Sequence, residues 1–133
     1  MVLSIQVRID GGGKNIILTE RSILKSEYNI TEGTQTRYME ESVDTVTLIG
    51  EIDLHSGGVE TANISKLAEF AFCASTDENC YRTFSMELFD SLGEKIQKVN
   101  FEKAFVVKYK DIFSSKKGRA RYEIVIRECK GTH

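Results

Sequence analysis

Regular alternation of apolar and polar residues is the feature that most constrains the fold of this chain. It continues through most of the second half of the sequence, in the runs Tyr81–Phe89, Lys95–Phe101, Phe105–Phe113 and Arg119–Cys129. Successive side chains of a β-strand point to opposite faces, so each run predicts a strand with one packed face and one polar face. Polar turns at Ser91–Glu94 and Ser114–Gly118 join the runs. The pattern predicts an antiparallel β-meander.

Within the first run, the two faces are clearly separated. Phe84, Met86 and Leu88 are expected to face the core, whereas the polar surface is expected to carry Thr83, Ser85 and Glu87. In the last run the expected core residues are Ala120, Tyr122, Ile124 and Ile126. The alternation alone does not establish what this polar face contacts.

The first half of the chain also reads as strands, followed by one helix. Strands are predicted at Met1–Asp10, Ile16–Thr19, Ser22–Ile30 and Val43–Leu54. A helix that begins near Thr61 or Asn63 is predicted from an apolar stripe at helical spacing, formed by Ile64, Leu67, Ala68, Ala71 and Phe72. Phe70 lies off this stripe, so it is assigned either to half-buried packing or to a contact with a neighbouring subunit.

A polar segment of about a dozen residues, Thr31–Ser42, separates two of these strands. Loops of this length are uncommon inside a compact domain, and they are usually either functional or disordered.

The predicted fold class is mainly β: a partly closed antiparallel barrel or sandwich of some eight strands, with one short helix at an end or side. At 133 residues the chain is expected to form a single domain covering residues 1–133. The net charge of −2 argues against nucleic acid as a partner, and no apolar run is long enough for a membrane span. The first residues lack the pattern of a signal peptide, so synthesis in the cytoplasm is expected.

No catalytic, metal or cofactor site is predicted, and the chain is not expected to be an enzyme. The two histidines, His55 and His133, have no Cys, Ser or Asp at a catalytic spacing. Cys73, Cys80 and Cys129 do not follow a metal-ligand spacing and are expected to be reduced thiols, the first two buried as small apolar residues.

Several segments together resemble the haemolysin-coregulated protein (Hcp) family, the tube subunits of type VI secretion systems, whose fold is related to that of phage tail-tube proteins. The similar segments are Ser4–Gly11, with its Ile-Asp-Gly end, Ser22–Tyr28, Leu48–Asp53, Ile64–Ala71, Phe84–Phe89 and Val99–Val107. They cover nearly the whole chain in the order of the family. The chain departs from the family at Arg127–Cys129, which lacks an aromatic finish, and in the composition of Thr31–Ser42.

The resemblance implies a tail-tube-like barrel that assembles into stacked homohexameric rings and delivers effectors. It also implies spike, sheath and effector proteins as partners, and export through the injection apparatus. In such an assembly, the lumen or a surface between subunits is expected to be lined by Thr83, Ser85 and Glu87. The segment Thr31–Ser42 is expected to contact a neighbouring subunit or ring, and with Phe70 the residues assigned to this interface are Thr31, Thr34, Gln35, Arg37, Tyr38 and Met39.

Other hypotheses remain open. The departures from the family leave open a phage or prophage tail-tube protein, and a second hypothesis is a β-barrel binding module that does not assemble. A third, an enzyme, would need a cleft with converging polar groups around Cys73, Cys80 or His55.

Overall fold

The computed structural model describes residues 4–11, 14–32, 42–55, 58–73, 80–114, 116 and 118–129. Seven strands and one helix lie in these ranges, in the order β1 (Ser4–Gly11), β2 (Lys14–Thr19), β3 (Lys25–Glu32), β4 (Ser42–Asp53), α1 (Gly58–Phe72), β5 (Arg82–Phe89), β6 (Lys95–Ser114) and β7 (Arg119–Glu128). The strands form one antiparallel sheet in the order β2-β1-β5-β6-β7-β4-β3. The predicted fold class, mainly β with one helix, is confirmed, and the sheet is not closed into a complete barrel.

The sheet curls over its own core. In a flat sheet, β3 and β6 would lie three strand spacings apart, about 14 Å. The ring centres of Tyr28 on β3 and Phe101 on β6 are only 6.4 Å apart. A second contact spans the core at another point, where the buried hydroxyl of Tyr122 on β7 donates a 2.8 Å hydrogen bond to the carbonyl oxygen of Ser22, between β2 and β3. Residues at and near the β3 edge therefore contact the middle strands, and β2 and β3 are not paired in the described ranges.

Strand β6 joins the two halves of the sheet. Its first part pairs with β5 and its last part with β7, and Ala104 has a partner on both sides. The prediction of two strands separated by a bend is wrong, since residues 95–114 form one strand. The register shifts near residue 104 on both sides, as expected at β-bulges, which bend a strand without ending it. This merger accounts for seven strands instead of eight.

The predicted faces of the meander are confirmed. Phe84 and Met86 are buried, Leu88 packs against the core, and Ala120, Tyr122, Ile124 and Ile126 are buried. The same face of β1, β2 and β4 completes the core with Ile5, Val7, Ile9, Ile16, Leu18, Val46, Leu48 and Ile52. Helix α1 lies against β2, β4, β6 and β7, and covers this core from one side.

The helix begins earlier than predicted. It starts at Gly58, so neither Thr61 nor Asn63 is its cap. Asn63 is instead buried inside the helix, where its side-chain nitrogen donates a 2.9 Å hydrogen bond to the carbonyl of Ile17 on β2. The predicted Thr31–Ser42 loop is also shorter than expected, because β3 runs to Glu32 and pairs there with Ser42, the first residue of β4.

Candidate assembly surfaces

The two edges of the sheet differ in how they are protected. Along β2, the carbonyl of Ile17 accepts from Asn63, and the carbonyl of Asn15 accepts a 3.2 Å hydrogen bond from the ammonium of Lys66. Helix α1 thus supplies side-chain donors to this edge. Within the part of the chain that the structure describes, β3 has β4 as its only neighbouring strand. An edge strand with unpaired backbone groups can pair with another chain, so the β3 edge is the more accessible of the two.

The predicted polar surface lies on one face of the β1-β5-β6 part of the sheet. Thr83, Ser85 and Glu87 alternate with the buried residues of β5. Their neighbours on the flanking strands are also polar, and the register places Asp10, Arg8 and Gln6 on one side and Asn100 and Lys98 on the other. This part of the face is hydrophilic, and the exposed Ile17 on β2 and Ile96 on β6 lie at its margins.

Ion pairs organise the charges on this face. The Glu87 carboxylate lies 2.6 Å from the Lys95 ammonium, and this hydrogen bond lowers the pKa of Glu87. Elsewhere on the outward face, Arg119 pairs with Glu51 at 2.6 Å and Lys108 pairs with Glu123 at 3.3 Å. Each pair connects neighbouring strands.

Only one of the residues assigned to the intersubunit loop lies among the described ones. Thr31 lies at the end of β3, where it pairs with Val43. The remaining residues of that group, Thr34, Gln35, Arg37, Tyr38 and Met39, lie outside the described residues. The paired ends of β3 and β4 fix where this segment leaves and rejoins the sheet.

The predicted environments of Phe70 and Phe72 are reversed, because Phe70 is buried and Phe72 is exposed. Phe70, assigned to a subunit interface, is only 2% exposed, so its side chain offers no surface to a neighbour; the guanidinium of Arg82 lies over its ring at 5.1 Å. Phe72, predicted to face the core, is 77% exposed and touches the ring of Tyr109 edge-on. The interface assignment of Phe70 is therefore wrong. The buried stripe of the helix is centred on Ile64, Leu67 and Phe70, and the last turn extends beyond the core.

The prediction of reduced thiols is wrong for two of the three cysteines. Cys73, at the end of α1, forms a disulfide with Cys80, just before β5, and their Cα atoms are 5.4 Å apart. Cys129 is a free thiol of intermediate exposure. The disulfide fixes the end of the helix to the start of the meander.

The described side chains converge on no catalytic group. His55 packs on Gly118, which has a positive φ of 61°. Burial raises the pKa of Tyr122, so its hydroxyl stays neutral as a hydrogen-bond donor. Among the described residues, no three His, Cys, Asp or Glu side chains are grouped to hold a metal ion. In the same ranges, no helix is long and apolar enough to cross a membrane.

One surface feature was not predicted from the sequence. A cleft of about 240 Å³ opens where β4, β6 and β7 lie side by side. Its lining includes Ile49, Ile112, Lys110, Arg121 and Glu123. The sequence feature that could have indicated this cleft is the pair Ile49 and Ile112. Both are apolar residues at positions that the strand alternation assigns to the outward face, where polar residues are expected.

Comparison with known proteins identifies the fold but no sequence family. No protein-family model and no curated protein matches the sequence. Among solved structures, Hcp1 from Flavobacterium johnsoniae is similar over 92% of this chain and 89% of that chain, with a TM-score of 0.50 and 14% identity. A chain of the baseplate of the anti-feeding prophage is similar over 97% of this chain and 90% of that chain, with a TM-score of 0.44 and 6% identity. The chain therefore has an Hcp-like fold.

Proposed function

We propose that this chain is a structural tube subunit of a type VI secretion system or of a related contractile injection apparatus. Copies of the chain assemble into homohexameric rings, and the rings stack into a tube that delivers effectors. Spike, sheath and effector proteins are its further partners, and the chain leaves the cell through the apparatus itself. It acts by assembly and not by catalysis.

The observation that carries this proposal is the β3 edge of an Hcp-like fold, at which β4 is the only paired strand among the residues that the structure describes. Fold alone does not determine function. The accessible β3 edge is therefore a second, separate reason to infer that the chain assembles with further copies of itself. The β2 edge already receives hydrogen bonds from Asn63 and Lys66. One protected edge and one accessible edge favour a directional contact, in which β3 of each copy meets a different surface of its neighbour.

The hydrophilic face supports a role as the wall of a water-filled channel. We assign Thr83, Ser85 and Glu87 to the lumen or to the surface between subunits, because they lie on a polar face opposite the core. The segment between β3 and β4 is assigned to the contact between neighbouring subunits or rings. Thr31, Thr34, Gln35, Arg37, Tyr38 and Met39 belong to this assignment, and Phe70 no longer does.

Of the two non-enzymatic alternatives, one is equally compatible with the fold and the other conflicts with the packed core. A phage or prophage tail-tube protein would share the same fold and the same assembly, and differs only in the particle. A binding module that holds a small ligand inside its barrel is disfavoured, because Phe84, Phe101 and Tyr122 fill the core and are at most 1% exposed.

Sedimentation and electron microscopy test the proposal. Purified protein at high concentration is expected to sediment as hexamers and to show rings with six-fold symmetry. Ser26 faces inward at the β3 edge, and Ser26→Lys places a charge where a neighbouring strand would pair, a device by which natural edge strands avoid association. Ser65→Lys, on the exposed side of α1, adds the same charge as a control.

The expected result is a loss of rings in Ser26→Lys and normal rings in Ser65→Lys, with both variants folded by circular dichroism. A native protein that remains monomeric at every accessible concentration, without ring particles, would overturn the proposed function. Rings that persist in a folded Ser26→Lys variant would show that β3 is not the edge that carries the assembly.

A further inference from the structure

The turn between β5 and β6 presents a leucine on a rigid acidic tip. The Asp90 carboxylate accepts hydrogen bonds from the backbone nitrogens of Leu92, at 2.9 Å, and Glu94, at 3.0 Å. Gly93 supplies the positive φ of 83° that the turn requires. Leu92 is 84% exposed, more than any other large hydrophobic residue among those described. We call residues 90–94 the acidic tip.

The cleft between β4, β6 and β7 has the complementary character. Ile112 on β6 is 54% exposed, and the partly buried Ile49 on β4 lines the cleft from the other side of β7. Lys110 and Arg121 line the same cleft, and within the described residues neither makes an ion pair. Glu123, also in the lining, is already paired with Lys108. The cleft thus combines two apolar side chains with two positive charges that have no ion-pair partner among the described residues.

We propose that the acidic tip of one copy docks in this cleft on the next copy. Leu92 packs against Ile49 and Ile112, and the carboxylate of Glu94 faces Lys110 and Arg121. A scattered exposed leucine needs no explanation by itself. What supports the contact is that the two surfaces are complementary. An exposed leucine flanked by acidic residues meets a cleft that is lined by isoleucines and basic residues.

The position of the two surfaces requires a second copy. The acidic tip precedes the first residue of β6, whereas Lys110 and Ile112 lie near its end. A fully extended strand from the start of β6 to Lys110 is about 50 Å long, and the curvature of the sheet shortens this distance only in part. The acidic tip of a chain therefore does not reach the cleft of the same chain. A contact between two different surfaces of identical chains is heterologous, and it closes into a ring or continues along a stack.

This inference names the partner surfaces of the assembly and rests on the proposed function. Disulfide trapping tests it without requiring stable rings. Leu92→Cys and Ile112→Cys are prepared separately in a Cys129→Ser background, mixed in equal amounts and oxidised mildly. Leu24→Cys replaces Leu92→Cys as the matched control, because Leu24 is also an exposed leucine, at 61%. A cross-linked heterodimer is expected for the first mixture and not for the control.

Charge reversal provides a second, independent test. Glu94→Lys and Arg121→Glu each place like charges across the contact, so each variant alone should assemble at a concentration about tenfold higher than the native protein. An equimolar mixture should assemble as the native protein does. In an alternating arrangement, the lysine introduced at position 94 meets the glutamate introduced at position 121 at one contact, and the native pair meets at the next. Restoration by mixing is specific to a head-to-tail contact between these two surfaces.

The outcomes separate this inference from the proposed function. Rings by electron microscopy, with no cross-link above the Leu24→Cys control and no effect of charge reversal, would overturn the tip-to-cleft contact and leave the tube subunit intact. A specific cross-link from a protein that never forms rings would support the contact and overturn the proposed function.

Discussion

Gly50 lies buried on the inward face of β4, close to Tyr122 on β7 and to Ser22 between β2 and β3. A Cβ atom at this position would overlap the carbonyl oxygen of Ser22 and the hydroxyl of Tyr122. These two atoms share a buried 2.8 Å hydrogen bond that ties β7 to the segment between β2 and β3. Gly50→Ala therefore has to displace backbone as well as the tyrosine ring, and it tests the contact that holds the curled sheet together.

The cost can be worked out from these contacts. Overpacking of a close-packed site costs about 1–3 kcal/mol, and displacement of the hydrogen bond adds about 1 kcal/mol. We expect Gly50→Ala to lower the free energy of unfolding by about 2–4 kcal/mol in urea denaturation followed by circular dichroism. For a chain of this length, the same loss would lower the melting temperature by roughly 10 °C.

Two further variants identify the cause. Tyr122→Phe should cost about 1 kcal/mol by itself, through loss of the hydrogen bond. Because Gly50→Ala already displaces this bond, the double variant should lose less than the sum of the two single losses. Thr47→Ala, on the outward face of the same strand, should change stability by less than about 1 kcal/mol. A Gly50→Ala protein within about 0.5 kcal/mol of native stability would refute the steric argument.

Three other predictions concern stability. Phe70→Ala should lower the free energy of unfolding by about 3–5 kcal/mol, whereas Phe72→Ala, at a position 77% exposed, should change it by less than about 1 kcal/mol; equal losses would contradict the reversal of their environments. Replacing Cys73 and Cys80 by serine should cost about 2 kcal/mol, from the entropy of the short loop that the disulfide closes, as chemical denaturation would measure. Because its lysine partner lowers the pKa of Glu87, that pair stabilises the fold above the ordinary carboxyl value of 4.5 and is lost as pH falls through the lowered pKa. Glu87→Gln should therefore flatten this part of a melting-temperature profile measured against pH, and an unchanged profile would count against the ion pair.

Helix α1 contacts one edge of the sheet as well as the core. Asn63 and Lys66 reach from the helix to carbonyls of β2. The core and one sheet edge are thereby covered by the same element, and β3 remains the more accessible edge.

Most strand faces could be predicted from the alternation alone. Phe84 and Met86 face the core and Thr83 faces solvent, because a period of two leaves only one choice once a single residue is placed. The buried face of the helix was less well determined by the sequence. Residues 64–72 contain several overlapping apolar stripes, and the stripe that packs against the sheet is the one that includes Phe70. Phe72 then lies in the last turn, beyond the edge of the core.

The remaining differences depend on contacts between distant residues. The Cys73–Cys80 disulfide requires that the helix end and the start of β5 lie close together, which spacing alone does not establish. The cleft likewise requires residues from three strands. Ile49, Ile112 and Arg121 are far apart in the sequence and adjacent only in the sheet.

The sequence by itself determined the class of the fold, the position of the meander and the two faces of its strands, because these follow from local periodicity. The tertiary structure alone decided that β6 continues through its bend, that α1 covers the β2 edge and that β3 is left accessible. The physical reason is that strand order and edge protection depend on pairing between segments that are distant along the chain. Periodicity carries no information about which segments become neighbours.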